Sequence, residues 1–152
     1  MKPVRVSIDV PQGREEVYDF LDVLANHEQF TDHMLRDWHC TGPAQGVGAK
    51  ASMTAVAAGR SEALDMEVIE AERPTRNVER NVGASGRVAT GTYTLAELPG
   101  GGTRITFENA WLRVPRGEAL AGPLVREMLR RGNKRSLERL AALLAGRPAG
   151  AA

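Results

Sequence analysis

The chain has a single cysteine, Cys40, among 152 residues. An internal disulfide is therefore impossible, and the fold stands without one. Lysine is scarce too, occurring only at Lys2, Lys50 and Lys134. Arginine carries the basic charge, which in a chain rich in Ala and Gly reads as a compositional bias of the source genome. The formal charge is +1, so neither an acidic tail nor a general nucleic-acid surface is expected. No run approaches the roughly 20 apolar residues of a membrane span. The start, MKPVRVSIDV, lacks the apolar stretch of a signal peptide. A reducing cytoplasm is the expected home. Nucleophile elbow, P-loop, dinucleotide fingerprint and kinase motifs are all missing, as are HExxH and paired CxxC spacings. Neither a cofactor nor a metal is expected.

The chain does have pattern. Val4, Val6, Ile8 and Val10 alternate with polar residues, which predicts a half-buried strand ended by Pro11 to Gly13. Val17, Phe20, Leu21 and Leu24 then recur at helical spacing. The polar stretch from Asn26 to Asp37 is expected to hold a second short helix turn. From Trp38 to Trp111 the chain reads as strands and turns. Residues 50–58 and 62–70 flank a turn at Ala58-Gly59-Arg60-Ser61. Strands follow over 77–82, 88–98 and 103–114, the last two joined by Pro99-Gly100-Gly101-Gly102. Glycine reaches positive φ without a Cβ penalty, so this is a strong hairpin signal. A helix of about 20 residues starts near Pro123 with a stripe that includes Leu129, Leu137, Leu140 and Leu144. It must lie across the sheet to bury that stripe. Gly146 and Pro148 stop it, and residues 146–152 are expected to form a disordered tail.

The expected class is α+β, with residues 1–145 as one domain. Three stretches carry a further resemblance. One is Val6-Ser7-Ile8-Asp9-Val10-Pro11 with Val17-Tyr18-Asp19-Phe20-Leu21-Asp22. Another is Gly91-Thr92-Tyr93-Thr94-Leu95 with Gly101-Gly102-Thr103-Arg104-Ile105-Thr106-Phe107. The third is the Leu-rich final helix. Together they resemble the helix-grip (SRPBCC, START-like) superfamily of birch-pollen-allergen and polyketide cyclase/dehydrase-like proteins. That resemblance implies a curved antiparallel sheet of six to seven strands wrapped round a long C-terminal helix. It also implies two short helices after the first strand and an enclosed apolar cavity. Members bind lipids, sterols, polyketides or hormones, and some are enzymes; no catalytic signature is common to them, so function rests on the site itself.

Strand phase then nominates lining residues. Val78 and Val82 share a face with Arg80, which points that face inward and puts Arg80 on the cavity side or at its rim. A buried guanidinium needs an acid, a carbonyl or an anionic ligand. Tyr93 shares a face with Gly91 and Leu95, and Phe107, Asn109 and Trp111 share another. Met53 and Met66 offer flexible apolar surface on the hairpin. Met128 and Gly132 lie on the final helix. Gly132 and Ser136 form a small patch that either admits a neighbouring element or leaves open volume. The histidines His27, His33 and His39 step by six residues, which is no metal spacing. His27 or His33, on the short helices, is placed to act as acid or base at the cavity mouth. The basic run from Arg126 to Arg139 reads as the solvated face of its helix.

Three functions fit. The first is binding of a mid-sized hydrophobic molecule (lipid, sterol or polyketide-like) at Met53, Met66, Arg80, Tyr93, Phe107, Asn109, Trp111, Met128 and Gly132. The second is a polyketide cyclase/dehydratase-type enzyme with Arg80, Tyr93 and His27 as catalytic candidates. The third is a non-enzymatic interaction module. The expected partner is a hydrophobic small molecule, with no nucleic acid, no membrane insertion and a homodimer as an open option.

Overall fold

A computed structural model describes residues 1–147. Strand β1 (Val4–Val10) leads into helix α1 (Arg14–Asp22), a 3-10 turn (Leu24–His27) and helix α2 (Glu28–Thr31). Six strands follow: β2 (Leu35–Thr41), β3 (Lys50–Ala57), β4 (Arg60–Glu72), β5 (Arg76–Gly83), β6 (Val88–Glu97) and β7 (Thr103–Arg113). Helices α3 (Arg116–Leu120) and α4 (Gly122–Ala145) close the chain. The strands form one antiparallel sheet in the order β1-β7-β6-β5-β4-β3-β2. After β1 crosses to pair with β7, the rest is a meander, as short turns between successive strands require. This is the helix-grip architecture. Among the described residues no helix is long and apolar enough to cross a membrane.

Local sequence explains most boundaries. In β1 the valines 4, 6 and 10 are buried while Arg5, Ser7 and Asp9 are exposed. The β3–β4 hairpin closes on two residues, Ala58 and Gly59, both at positive φ (51° and 75°). That geometry matches the twist of the flanking strands, so Arg60 and Ser61 belong to β4 rather than to the turn. The strand region begins at Leu35, three residues before Trp38. Helix α4 has 24 residues, about 36 Å, because Gly122 and Pro123 already form its first turn.

Two apolar clusters hold the layers. Val6, Val10, Val17, Phe20, Leu21, Leu95, Ile105 and Phe107 meet Leu137, Leu140 and Leu144 of α4. Fully burying an aliphatic side chain contributes about 1.5–3 kcal/mol, so the C-terminal half of α4 is firmly seated. On the other side of the sheet's hollow, Ala49, Ala51, Met53, Met66 and Val68 pack with Leu24. Of the tail expected from Gly146, Gly146 donates to the Ala142 carbonyl at 3.1 Å and the Arg147 guanidinium lies 4.9 Å from the Phe20 ring centre. Residues 148–152 of that tail lie outside the described residues.

Candidate functional site

The concave face is built in rows that cross the sheet. One row runs Ala51, Met66, Asn81, Ala89 and Trp111. The next runs Val68, Glu79, Gly91, Asn109 and Val4. A third runs Asn77, Tyr93, Phe107 and Val6. Strand β5 therefore presents Asn77, Glu79 and Asn81 to the hollow, the reverse of the expected phase. Arg80 is exposed on the outer face, where it lines a shallow depression with Lys50, Asp65 and Glu67. It faces away from the hollow and is not positioned to act on anything there. The error has a physical origin. Val78 is only 3% exposed although it sits on the outer face, between Glu70 and Thr92 in the register. A buried valine on the convex side mimics an inward one. A bulge at Ile69, between the paired positions Val68 and Glu70, sets the parity of this part of the sheet.

The inward polar residues of β5 sit between the two apolar clusters. Glu79 is 4% exposed and Asn77 is 2% exposed. Gly91 lies opposite Glu79, and a Cβ there would come within 2.7 Å of the Glu79 carboxyl and 2.9 Å of the Phe107 ring. Glycine at 91 is what makes room for the acid. Among the described residues, Glu79 Oε2, both amide atoms of Asn77 and Oδ1 of Asn81 have no hydrogen-bond partner. Asn81 lies near enough to Glu79, and Asn77 to the Tyr18 hydroxyl, to influence their ionisation, but outside ordinary hydrogen-bond geometry.

His27 faces this acid from the 3-10 turn. It is 1% exposed, so it is an interior group and not a rim residue. Its Nε2 lies 2.7 Å from the Leu21 carbonyl oxygen. A carbonyl only accepts, so Nε2 carries the proton and the neutral ring leaves Nδ1 as an acceptor. Nδ1 stands 3.8 Å from Glu79 Oε2. The rings of Phe30 and Tyr93 pack on the imidazole at 5.2 and 5.5 Å, and Trp38 lies at 6.4 Å. Trp38 is re-aimed by a register shift in β2 at Asp37, whose φ is 58°.

Burial decides the charge states. It pushes Glu79 up to about 7, opposed by Asn81, and pulls His27 down to about 4, opposed by the bond to Leu21. Their separation is within ion-pair range, yet between these two values each group is neutral. Tyr93 rises well above its ordinary value, first through burial and then through the Glu79 charge.

The other expected residues divide. Met53, Met66, Tyr93 and Phe107 lie buried on the concave face, with Asn109 and Trp111 half-buried there. Asn109 accepts a hydrogen bond from Asn133 Nδ2 of α4 at 2.5 Å. Met128 is half-buried on α4. Gly132 does not mark open volume: a Cβ there would run into the Met34 thioether. Its carbonyl instead accepts from His33 Nε2 at 3.0 Å. His33 Nδ1 then accepts from Arg139 at 2.8 Å, and Arg139 pairs with Asp32 at 2.6 Å. His33 is thus part of a clasp between α2 and α4, with its pKa lowered by burial first and by Arg139 and Arg135 after it. His39 is exposed on β2. In the basic run, Lys134 and Arg135 are exposed as expected, but Arg126 donates to the Lys2 carbonyl and Arg139 serves the clasp. Among the described residues no three His, Cys, Asp or Glu side chains converge as metal ligands.

The two ends of the hollow differ in exposure. Trp111, Val125, Met128 and Leu129 are half-buried at one end, whereas Leu140 and Leu144 at the other end are sealed. Arg87 bridges Glu62 of β4 and Glu118 of α3, the latter at 3.4 Å, and so ties α3 to the sheet. Two surface depressions lie outside the hollow, one beside Arg80 and one beside Asp9 and Arg104.

No family model matches the chain, and no curated protein does. Solved structures do. TTHA0849 from Thermus thermophilus is 21% identical with a TM-score of 0.77, covering 95% of this chain and 97% of that one. The Zhui aromatase/cyclase from a Streptomyces species is 11% identical with a TM-score of 0.74, covering 99% of both chains. Ara h 8.0201 is 11% identical with a TM-score of 0.64, covering 96% of this chain and 99% of that one. These likenesses establish the helix-grip fold. Cyclases and pollen-allergen-like proteins both fit it, so the fold leaves the activity open.

Proposed function

We propose that the chain binds one mid-sized hydrophobic molecule between the concave face of the sheet and α4. The observation that supports this most is the composition of that face. Apolar and aromatic side chains surround a small polar group, with Asn77 and Glu79 buried and Asn81 half-buried, and small-molecule sites are made this way. Entry is at the half-buried end, past Trp111, Met128 and Leu129. Native mass spectrometry and tryptophan fluorescence against lipid, sterol and polyketide panels provide the test. One saturable binder per chain is expected, and Trp111→Ala weakens it about tenfold, a loss of ~1.4 kcal/mol. Arg80→Ala leaves it unchanged because Arg80 is on the outer face. If no panel member saturates the chain, the reading fails.

A second reading has its own support. An acid titrating near neutrality beside a neutral imidazole is the arrangement general acid–base catalysis uses. On that reading the cyclase/dehydratase-type chemistry runs through Glu79, His27 and Tyr93, without Arg80. Turnover of a poly-β-ketone that survives Glu79→Gln rejects it.

A further inference from the structure

We propose that the polar end of the ligand is a hydrogen-bond donor, an amine above all, and that carboxylates are refused. This rests on the hydrophobic-ligand reading and adds which chemistry the site selects. The argument is an inventory of the polar atoms in the hollow. Glu79 Oε2, Asn77 Oδ1 and Asn81 Oδ1 are acceptors without partners among the described residues. His27 Nδ1 is a fourth acceptor, because Nε2 is spent on the Leu21 carbonyl. Among the described residues the one fully buried amide donor without a partner is Asn77 Nδ2, and the Tyr93 hydroxyl beside Glu79 can donate or accept.

The charges agree with the inventory. Glu79 has His27 as its sole basic neighbour within ion-pair reach among the described residues. His27 approaches from the 3-10 turn, Tyr93 from β6 and Asn81 from the same strand; Arg80 and Glu67 of the adjoining register are exposed on the far face. An arriving carboxylate would meet a second carboxyl with no cation to share, and burial makes that repulsion large. An arriving ammonium would supply the missing counter-charge and donate to Glu79 and to one of the asparagines that flank it two residues away along β5. An alcohol would donate once and fall between the two.

Three probes with one apolar chain isolate the polar end: decylamine, decanol and decanoate, each titrated by calorimetry and tryptophan fluorescence. Decylamine is expected to bind at least about tenfold more tightly than decanoate near pH 8, equivalent to ~1.4 kcal/mol. Its advantage shrinks toward pH 5.5, where Glu79 holds its proton. In Glu79→Gln, with folding checked by circular dichroism, the advantage disappears while decanol binding is kept. The wild-type pH series stands as the test if that variant misfolds. Decanoate binding as tightly as decylamine, or an amine preference indifferent to pH and to Glu79, overturns the inference and leaves hydrophobic binding intact. Binding of none of the three overturns both.

Discussion

A single methylene-length choice, glutamate with a glycine opposite, sets the chemistry of the hollow. Glu79 and His27 carry pKa values displaced in opposite directions, and their effects on stability oppose each other. The folded pKa of Glu79 is raised from 4.5 to about 7. Its contribution is therefore full below the unfolded value and is lost as pH rises through the folded one. The folded pKa of His27 is lowered from 6.5 to about 4, so its contribution is full above 6.5 and is lost as pH falls. Each shift corresponds to about 3 kcal/mol. Between the two unfolded values the slopes cancel. Comparing the parent with Glu79→Gln by urea unfolding isolates one of them. The stability difference, parent minus variant, is expected to fall by about 3 kcal/mol from pH 4.5 to pH 7. A difference that does not vary with pH would mean that the Glu79 carboxyl is in contact with water.

At the scale of the element, β6 is tuned to its neighbour β5. Gly91→Ala places a methyl against the Glu79 carboxyl and the end of the Phe107 ring, two buried groups with little freedom to move. Overpacking of this kind costs about 1–3 kcal/mol, and the urea midpoint should drop accordingly. An unchanged midpoint would show that the niche is looser than its geometry. Gly132 gives a contrast, because the group it admits is the flexible, half-buried end of Met34. Elements were legible in the sequence wherever one face was apolar and the other polar. The β1 alternation, the α1 and α4 stripes and the Gly-rich turn before β7 all place themselves this way. Strand β5 was not legible, because hydrophobic alternation carries the right signal only when the hidden side is greasy. Here the hidden side is Asn-Glu-Asn and a valine is covered on the other. The hint that was present, Gly91 on the inner face of β6, becomes meaningful only with the register that pairs it with Glu79. His27 likewise lies in a stretch too polar to look interior; what buries it is packing against Phe30 and Tyr93, from separate elements.

At the scale of the whole molecule, the order of elements gave an antiparallel meander with a long helix across it, and the resemblance supplied the wrap of the sheet round that helix. The centre of the hollow depended instead on contacts far apart in sequence, which no local pattern encodes. The two ends of the molecule also differ in how they are closed. Around Leu140 and Leu144 the seal is hydrocarbon. At the opposite end α3 buries none of its residues and is tied down by Arg87, which grips Glu62 and Glu118 at once. The three side chains are only 15–26% exposed, so salt screens them little, and removing the shared cation strands two partly buried carboxylates. One end of the molecule is thus fastened by charge and the other by hydrocarbon. Hydrogen–deuterium exchange should find the amides of residues 116–120 labelling faster in Arg87→Ala, with those of 137–144 unaltered.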